Sequence, residues 1–288
     1  MVEEWNYHDI QPGEFAHVRG AVVGKDAKLY VTDVWIQNVH VFDRYGNFDA
    51  MWGTRGQGDG AFFNFPRFTA ANDTGQVYIS DDREVRVFEN DGTFVGRSDW
   101  IIFPGGIHVD SDENVWVTSY GESSIRKYTS SLQLLELFDG SNIPGGLNGP
   151  YGIEQGPNGS LYVADTFNHR IIRMTTGGTF EFEFGSQGNT PGKFSAPVGL
   201  ATDSEGHLFV SETWRKRIQV FSPDGNYLTG WDVPNQPGKV GAVVYELTMD
   251  GDYFLYAPDH QLGQAEVHKY ALVPRVTTSG RPSYTPGQ

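Results

Sequence analysis

The sequence predicts an all-β fold, a six-bladed β-propeller with four antiparallel strands per blade, on three observations. A β-rich tripeptide followed by an acid or a small polar residue recurs six times. The copies are spaced by about 47 residues, the period of a propeller blade. Each unit carries several short strand signals separated by glycine, proline and aspartate turns, with no stretch of helical periodicity between them.

The copies are Leu29-Tyr30-Val31-Thr32-Asp33, Val77-Tyr78-Ile79-Ser80-Asp81, Val115-Trp116-Val117-Thr118-Ser119, Leu161-Tyr162-Val163-Ala164-Asp165, Leu208-Phe209-Val210-Ser211-Glu212 and Leu255-Tyr256-Ala257-Pro258-Asp259. Their last positions lie 48, 38, 46, 47 and 47 residues apart, so one copy is short. In the fourth copy, residues 151–155 make a first strand, Pro157-Asn158-Gly159 a turn, and residues 161–164 the return strand. Residues 170–174 form a third strand. Thr176-Gly177-Gly178 turns the chain into a fourth, 180–184, in which Phe180, Phe182 and Phe184 alternate with glutamates. Asp91-Gly92 and Asp224-Gly225 repeat the turn chemistry, because tight hairpins need the positive φ that glycine accepts without strain.

The two ends fit together. Residues 5–15 align with 184–194, so the chain starts on a fourth strand, whereas residues 244–270 supply three strands and stop. The expectation is that the N-terminal strand joins the last blade and closes the ring, which removes the exposed sheet edges. Residues 1–272 then form a single propeller. Residues 273–288, rich in proline, serine, threonine and glycine, read as a flexible tail.

Tyr162-Val163-Ala164-Asp165-Thr166-Phe167-Asn168-His169-Arg170-Ile171, preceded by Pro150-Tyr151-Gly152-Ile153, resembles the NHL repeat, and copy five is similar from Pro197-Val198-Gly199-Leu200 to Arg217-Ile218. The resemblance spans about residues 2–272 and implies the same six-bladed propeller. It leaves function open, since propellers of this family act as enzymes, sensors, RNA-binding modules and scaffolds. In the peptidyl-hydroxyglycine amidating lyases of the family, zinc histidines occupy the middle of Pro-x-Gly at the start of the inner strands. Here those positions are Arg19, Arg67, Gly105, Tyr151, Val198 and Tyr245, so the resemblance does not carry that zinc site or that activity. The lyases' arginine and tyrosine on second-to-third-strand loops have Arg83 and Tyr120 as counterparts in different local spacing. A second group of similar fold, the gluconolactonase-like hydrolases, holds its metal with Glu, Asn and Asp, a triad these inner-strand positions do not supply.

In such a fold, the loops into each inner strand and those between second and third strands surround one mouth of the central channel. That face gathers Arg19, Arg67, Tyr151, Tyr245 and Glu246 from the inner strands, and Trp35, Arg83, Tyr120, Phe167 and Trp214 from the loops. Aromatic walls with a few charges are the composition of a small-molecule or peptide site. Arg19 and Arg67, in neighbouring copies, could form a fork for a carboxylate, or could instead pair with acids such as Asp33, Asp81 or Glu246. Glu246 replaces the glycine of copies one, three, four and five. In a dry channel its pKa would rise, which suits acid/base work with Tyr120, Tyr151 or Tyr245 as proton partner.

His8, His17 and His260 fall in adjoining parts of the ring and are the candidate ligands for a divalent metal such as zinc or calcium. His108 beside Glu154 reads as a buried hydrogen-bonded pair. One acid per blade, Asp33, Asp81, Asp165, Glu212 and Asp259, reads as a structural tie to loop amides rather than a metal set.

Composition sets the outer bounds. Apolar residues make up 38% and aromatic residues 14% of the 288, enough for a core, and no apolar run approaches a membrane span. The absence of cysteine excludes disulfides, thiolate metal sites and cysteine nucleophiles. A net charge of −15 with few basic clusters argues against nucleic acid as a partner. No phosphate-binding loop, dinucleotide fingerprint or Gly-x-Ser-x-Gly elbow occurs, so no nucleotide cofactor is expected. The start carries no basic and apolar leader, making the cytoplasm the default compartment and a monomer the default state. The sequence thus points to a lyase- or hydrolase-like enzyme for a small, anionic organic molecule or peptide terminus. Its alternative is a non-catalytic scaffold that binds a protein or peptide on the same face.

Overall fold

Hairpin turns at the expected glycine and aspartate positions fold the chain into blades arranged in chain order around a channel. The computed structural model describes residues 11–233, 243–251, 254–261, 264–272, 275–276 and 282–283. Five four-stranded antiparallel sheets follow one another, and the sixth shows three strands among the described residues, Thr248–Asp250, Phe254–Gln261 and Gln264–Ala271. The inner strands of the first five blades are Val18–Val23, Thr69–Ala71, Pro104–Val109, Pro150–Gln155 and Pro197–Thr202. Arg275–Val276 and Pro282–Ser283 pair as a separate short ladder. No helix among the described residues is long and apolar enough to cross a membrane.

The recurring tripeptides are the second strands, and every residue of those strands in blades one to five is buried. Their alternate side chains fill the spaces between neighbouring blades. Tyr78 and Val85 of blade two pack with Ile107 and Val115 of blade three, and Tyr162 and Ala164 of blade four with Leu200 and Val210 of blade five. Burial of one such side chain contributes about 1.5–3 kcal/mol, so the blade interfaces form the core of the molecule. The tyrosine hydroxyls reach across the same interfaces. Tyr78 donates to the Ser130 carbonyl at 2.8 Å and Tyr162 to the Pro223 carbonyl at 3.2 Å, each in a turn of the next blade.

Blade one packs on blade six through a cluster of Val18, Ala21, Val31 and Tyr256, with Phe15, Phe254 and Val267 at its margin. Of the expected closing strand, residues 5–10 lie outside the described residues. Phe15 packs its ring on His40 and Phe42 of blade one.

The acid at the end of the recurring motif in every blade except blade three, which has Ser119 there, ties loop amides, as its regular spacing suggests. Asp33 accepts the Ala16 N–H at 2.6 Å and the Trp35 N–H at 3.0 Å. Asp165 accepts from Asn148 N at 2.7 Å, Glu212 from Ser195 N at 2.6 Å and Asp259 from Val243 N at 3.0 Å. Each acid therefore fixes the segment entering an inner strand to the loop leaving a second strand, the two parts that frame the mouth.

Candidate active site

The side chains at the mouth are aimed by a repeated irregularity of the inner strands. In blade one, Val18 pairs with Asp33 and Ala21 with Val31, which leaves Arg19 and Gly20 outside the regular ladder. The same skip isolates Gly105-Gly106, Tyr151-Gly152 and Val198-Gly199. A local bulge of this kind redirects one side chain out of the sheet. The following glycine is required because the next inner strand passes over it. A Cβ on Gly20 would lie 2.1 Å from the Arg67 carbonyl oxygen, and one on Gly152 2.0 Å from that of Val198.

Six of the expected residues converge there. The Arg19 guanidinium lies 4.1 Å over the Tyr245 ring. Its Nε is buried without a hydrogen bond, and no carboxylate pairs with it among the described residues. Arg67 donates from Nη2 to Asp82 at 2.8 Å, so its partner is none of Asp33, Asp81 and Glu246. Burial and the nearby charge of Arg19 both press the Arg67 pKa downward. Tyr151 stands between Phe68 and Tyr120, at 5.6 and 5.0 Å between ring centroids, and Phe167 extends the aromatic wall from Tyr120 at 5.5 Å. Burial raises the Tyr151 pKa while Arg19 and Arg67 pull it down, which places the phenol within the field of both guanidinium groups.

Glu246 sits one residue deeper, at the waist of the channel. Its Oε2 accepts the Ala21 N–H at 2.7 Å and the Thr69 hydroxyl at 2.8 Å, and its Oε1 accepts the Thr69 N–H at 3.0 Å. The carboxyl thus spans from blade six over Gly20 to blade two. Desolvation raises its pKa to about 8, against the lowering effect of those hydrogen bonds. The Thr69 hydroxyl can donate to the carboxylate or accept from the carboxylic acid, so both protonation states find partners.

Other expected residues stand apart from this cluster. Arg83 is exposed and lies between the Phe63 and Trp100 rings, 4.6 Å from each. Trp35 packs edge-on against His17 at 5.0 Å, and Trp214 against His169 at 5.9 Å, and both rings are exposed. For the metal ligands, His8 and the His260 side chain lie outside the described residues. Among the described residues no group of three or more histidine, aspartate or glutamate side chains is placed to hold a metal ion. The mouth itself does not fit a divalent cation, because it presents two guanidinium groups and its nearest inner-strand carboxyl already engages three donors.

Two features escaped the sequence reading. One is the pairing of Arg67 with Asp82, which depends on how a loop folds back. The other is a cavity of about 460 Å³ that begins at the waist and opens on the opposite face, lined by Glu246, His108 and Glu154 among others. The His108–Glu154 pair is present, with Nδ1 3.0 Å from Oε2. Nothing in its spacing indicated that it borders open space.

The comparisons agree with this architecture. Residues 20–243 match the model of the SMP-30/gluconolactonase/LRE-like region. Among solved structures, a streptogramin B lyase aligns with a TM-score of 0.64 at 17% identity, over 91% of this chain and 85% of its own. A catalytically inactive variant of virginiamycin B lyase from Staphylococcus aureus, solved with quinupristin, aligns at 0.64 and 17%, over 91% and 86%. A gluconolactonase from Xanthomonas campestris aligns at 0.64 and 18%, over 85% and 84%. At these identities the likeness is one of fold. No curated protein sequence matches the chain. With more than half of its length matched by the family model, the chain belongs to the SMP-30/gluconolactonase/LRE-like family.

Proposed function

We propose that the protein is a hydrolase- or lyase-like enzyme that holds a small organic molecule or peptide terminus at the upper mouth through an anionic group. The observation that carries this reading is Arg19, a half-buried cation stacked on Tyr245 with no carboxylate partner among the described residues. Such a charge is stabilised when an anion arrives, and with Arg67 beside it the pair forms a fork for a carboxylate or for the oxyanion that develops in acyl or elimination chemistry. Family membership, with lyases and a gluconolactonase among the structural neighbours, supports the same reaction classes.

The proton-transfer roles follow from position and acidity. Tyr151 and Tyr245 flank the arginines as hydrogen-bond donors to a leaving or accepting oxygen, with Tyr120 supporting Tyr151 through its ring. Glu246, with a pKa near 8, exchanges a proton in the neutral range, where a general acid/base is most effective. Phe167 supplies a face for the apolar part of the ligand. The NHL-like sequence of copies four and five supports a shared repeat design over residues 1–272, with 273–288 as an appendage. It does not extend to amidating chemistry, because none of the six mouth positions is histidine.

The test is a turnover screen of lactones, cyclic esters and carboxylate-bearing small molecules with the full chain, followed by Arg19→Ala on any active substrate. The expected result is a loss of about 100-fold in kcat/KM with little change in melting temperature. Absence of turnover across the panel, together with ligand binding that is indifferent to Arg19→Ala, would return the mouth to a scaffold role.

A further inference from the structure

The channel has two chemically opposite ends. The upper mouth carries Arg19 and Arg67, whereas the cavity below the waist reaches the first-to-second-strand turns at Pro157, Ser204 and Gly251, and among the described residues no lysine or arginine lines it. A volume of about 460 Å³ is that of a small-molecule site rather than a packing defect.

One histidine stands against three acids in its wall. His108 and Glu154 occupy matching places on the inner strands of blades three and four, opposite Trp116 and Tyr162 of their second strands. Glu154 uses Oε2 for His108 Nδ1 at 3.0 Å and Oε1 for the Thr202 hydroxyl at 3.2 Å, so its carboxylate is held from both sides. A carboxylate at Nδ1 favours the tautomer with its proton there, which leaves Nε2 as an acceptor. Asp203, bonded to His207 Nδ1 at 2.8 Å, adds negative charge lower down, and Glu246 caps the upper end. The wall therefore offers hydrogen-bond acceptors in excess of donors. The acids are too dispersed to form a metal cage, since no trio of ligating side chains is gathered among the described residues.

We propose that this lower cavity is a second ligand site, separate from the mouth, for a small protonated amine whose ammonium group bonds Glu154 and His108 Nε2 while its alkyl part lies on Leu200 and Leu247. An ammonium supplies three donors and one positive charge to a wall in which acceptors outnumber donors and, among the described residues, no side chain is a lysine or arginine. Leu200 and Leu247, from blades five and six, line the cavity one register position above His108 and Glu154. The site does not depend on any reaction at the mouth.

The experiment is calorimetric titration of the full chain with n-butylammonium chloride and, separately, with butan-1-ol, its uncharged analogue. The expected outcome is one saturable site for the amine, at least about tenfold weaker binding of the alcohol, and a further loss of about tenfold in amine affinity in Glu154→Gln. Nitrogen NMR of the His108 ring in the unaltered protein provides a readout that does not rely on a variant. A saturable shift of Nε2 with the amine and none with the alcohol supports the site. Equal binding of the two compounds, no saturable shift, or full affinity in folded Glu154→Gln overturns it. Sodium butyrate, the probe for the arginines, should leave the amine isotherm unchanged, so failure at one end of the channel is read separately from failure at the other.

Discussion

The Glu246 carboxyl of blade six is held by Thr69 of blade two, through the backbone N–H at 3.0 Å and the hydroxyl at 2.8 Å, with blade one crossed on the way. The crossing is open because residue 20 is glycine, where a Cβ would stand 2.9 Å from Glu246 Oε2 and 2.1 Å from the Arg67 carbonyl. Two substitutions separate structure from chemistry here. Glu246→Gln keeps an acceptor oxygen, so its melting temperature should stay within a few degrees of the parent while turnover of any substrate falls by about 100-fold or more. Gly20→Ala should cost about 3 kcal/mol or more, because the clash is with backbone and not with a movable side chain. Thermal melts and kcat on the same preparations check both.

The same carboxyl shapes the dependence of stability on pH. Glu246 titrates near 8 in the folded protein against 4.5 as its reference, so between these values the native state retains a proton that the unfolded chain has released. Its contribution is complete below pH 4.5 and is lost as pH rises toward 8, with a slope of up to ~1.4 kcal/mol per pH unit. His40 acts in the opposite sense. Buried against Phe15, Phe42 and Phe48 with neither ring nitrogen hydrogen-bonded, it is lowered from 6.5 to about 4. It contributes above pH 6.5 and loses that contribution as pH falls toward 4. From 4.5 to 6.5 the two slopes nearly cancel, and from 6.5 to 8 stability should fall, helped by His207, which its hydrogen bond to Asp203 raises. Urea melts at pH 5, 6.5 and 8 should show a plateau and then a decline. His40→Leu should extend the decline down to pH 5, and Glu246→Gln should remove most of it above 6.5.

A third expectation concerns the acids that frame the mouth. Asp33 is fully buried and accepts from the amides of Ala16, His17, Trp35 and Ile36. Replacing it by alanine strips an acceptor from several loop amides at once, at a cost of about 2–4 kcal/mol. For a chain of this length that is a fall of roughly 5–15 °C in melting temperature. Asp33→Asn, which keeps one carbonyl oxygen, should lose less than half as much. The fluorescence of Trp35, whose own N–H bonds Asp33 at 3.0 Å, should shift in the alanine variant before global unfolding.

The blade pattern was legible because it is written in local chemistry. Tripeptides such as Leu161-Tyr162-Val163 sit at one register position in every blade, and Asp165 or Asp33 meets loop amides a fixed distance away in sequence. The placement of the mouth residues was legible for the same reason, since Arg19 and Tyr151 share one place in a repeated bulge and Arg67 and Tyr245 hold the same place in the sequence repeat. The Arg67–Asp82 pair was less so, because it depends on the path of an irregular loop. The lower cavity was invisible. His108, Glu154 and Thr202 come from three blades, and whether their side chains close a gap or border open space is set by the width of the ring, which no single repeat encodes.

Arg19 and Arg67 occupy equivalent positions yet should respond differently to removal. Arg67 holds Asp82, with both side chains largely shielded from water, and Asp82 also accepts from Asn64 Nδ2 at 2.7 Å. Arg67→Ala leaves that carboxylate with half its partners in a shielded place, and should cost about 1–3 kcal/mol of stability along with ligand affinity. Arg19 loses a stacking contact with Tyr245 and relieves its repulsion of Arg67, so Arg19→Ala should be close to neutral in a thermal melt. Its effect belongs to the ligand: affinity for butyrate or another small carboxylate should drop by about tenfold or more, and the drop should shrink as salt is raised. Calorimetric titration at 20 and 300 mM sodium chloride, beside melts of both variants, decides the matter. Equal loss of stability in the two would mean that Arg19 braces the mouth as Arg67 does, and an unchanged carboxylate affinity would remove the arginine fork from the ligand site.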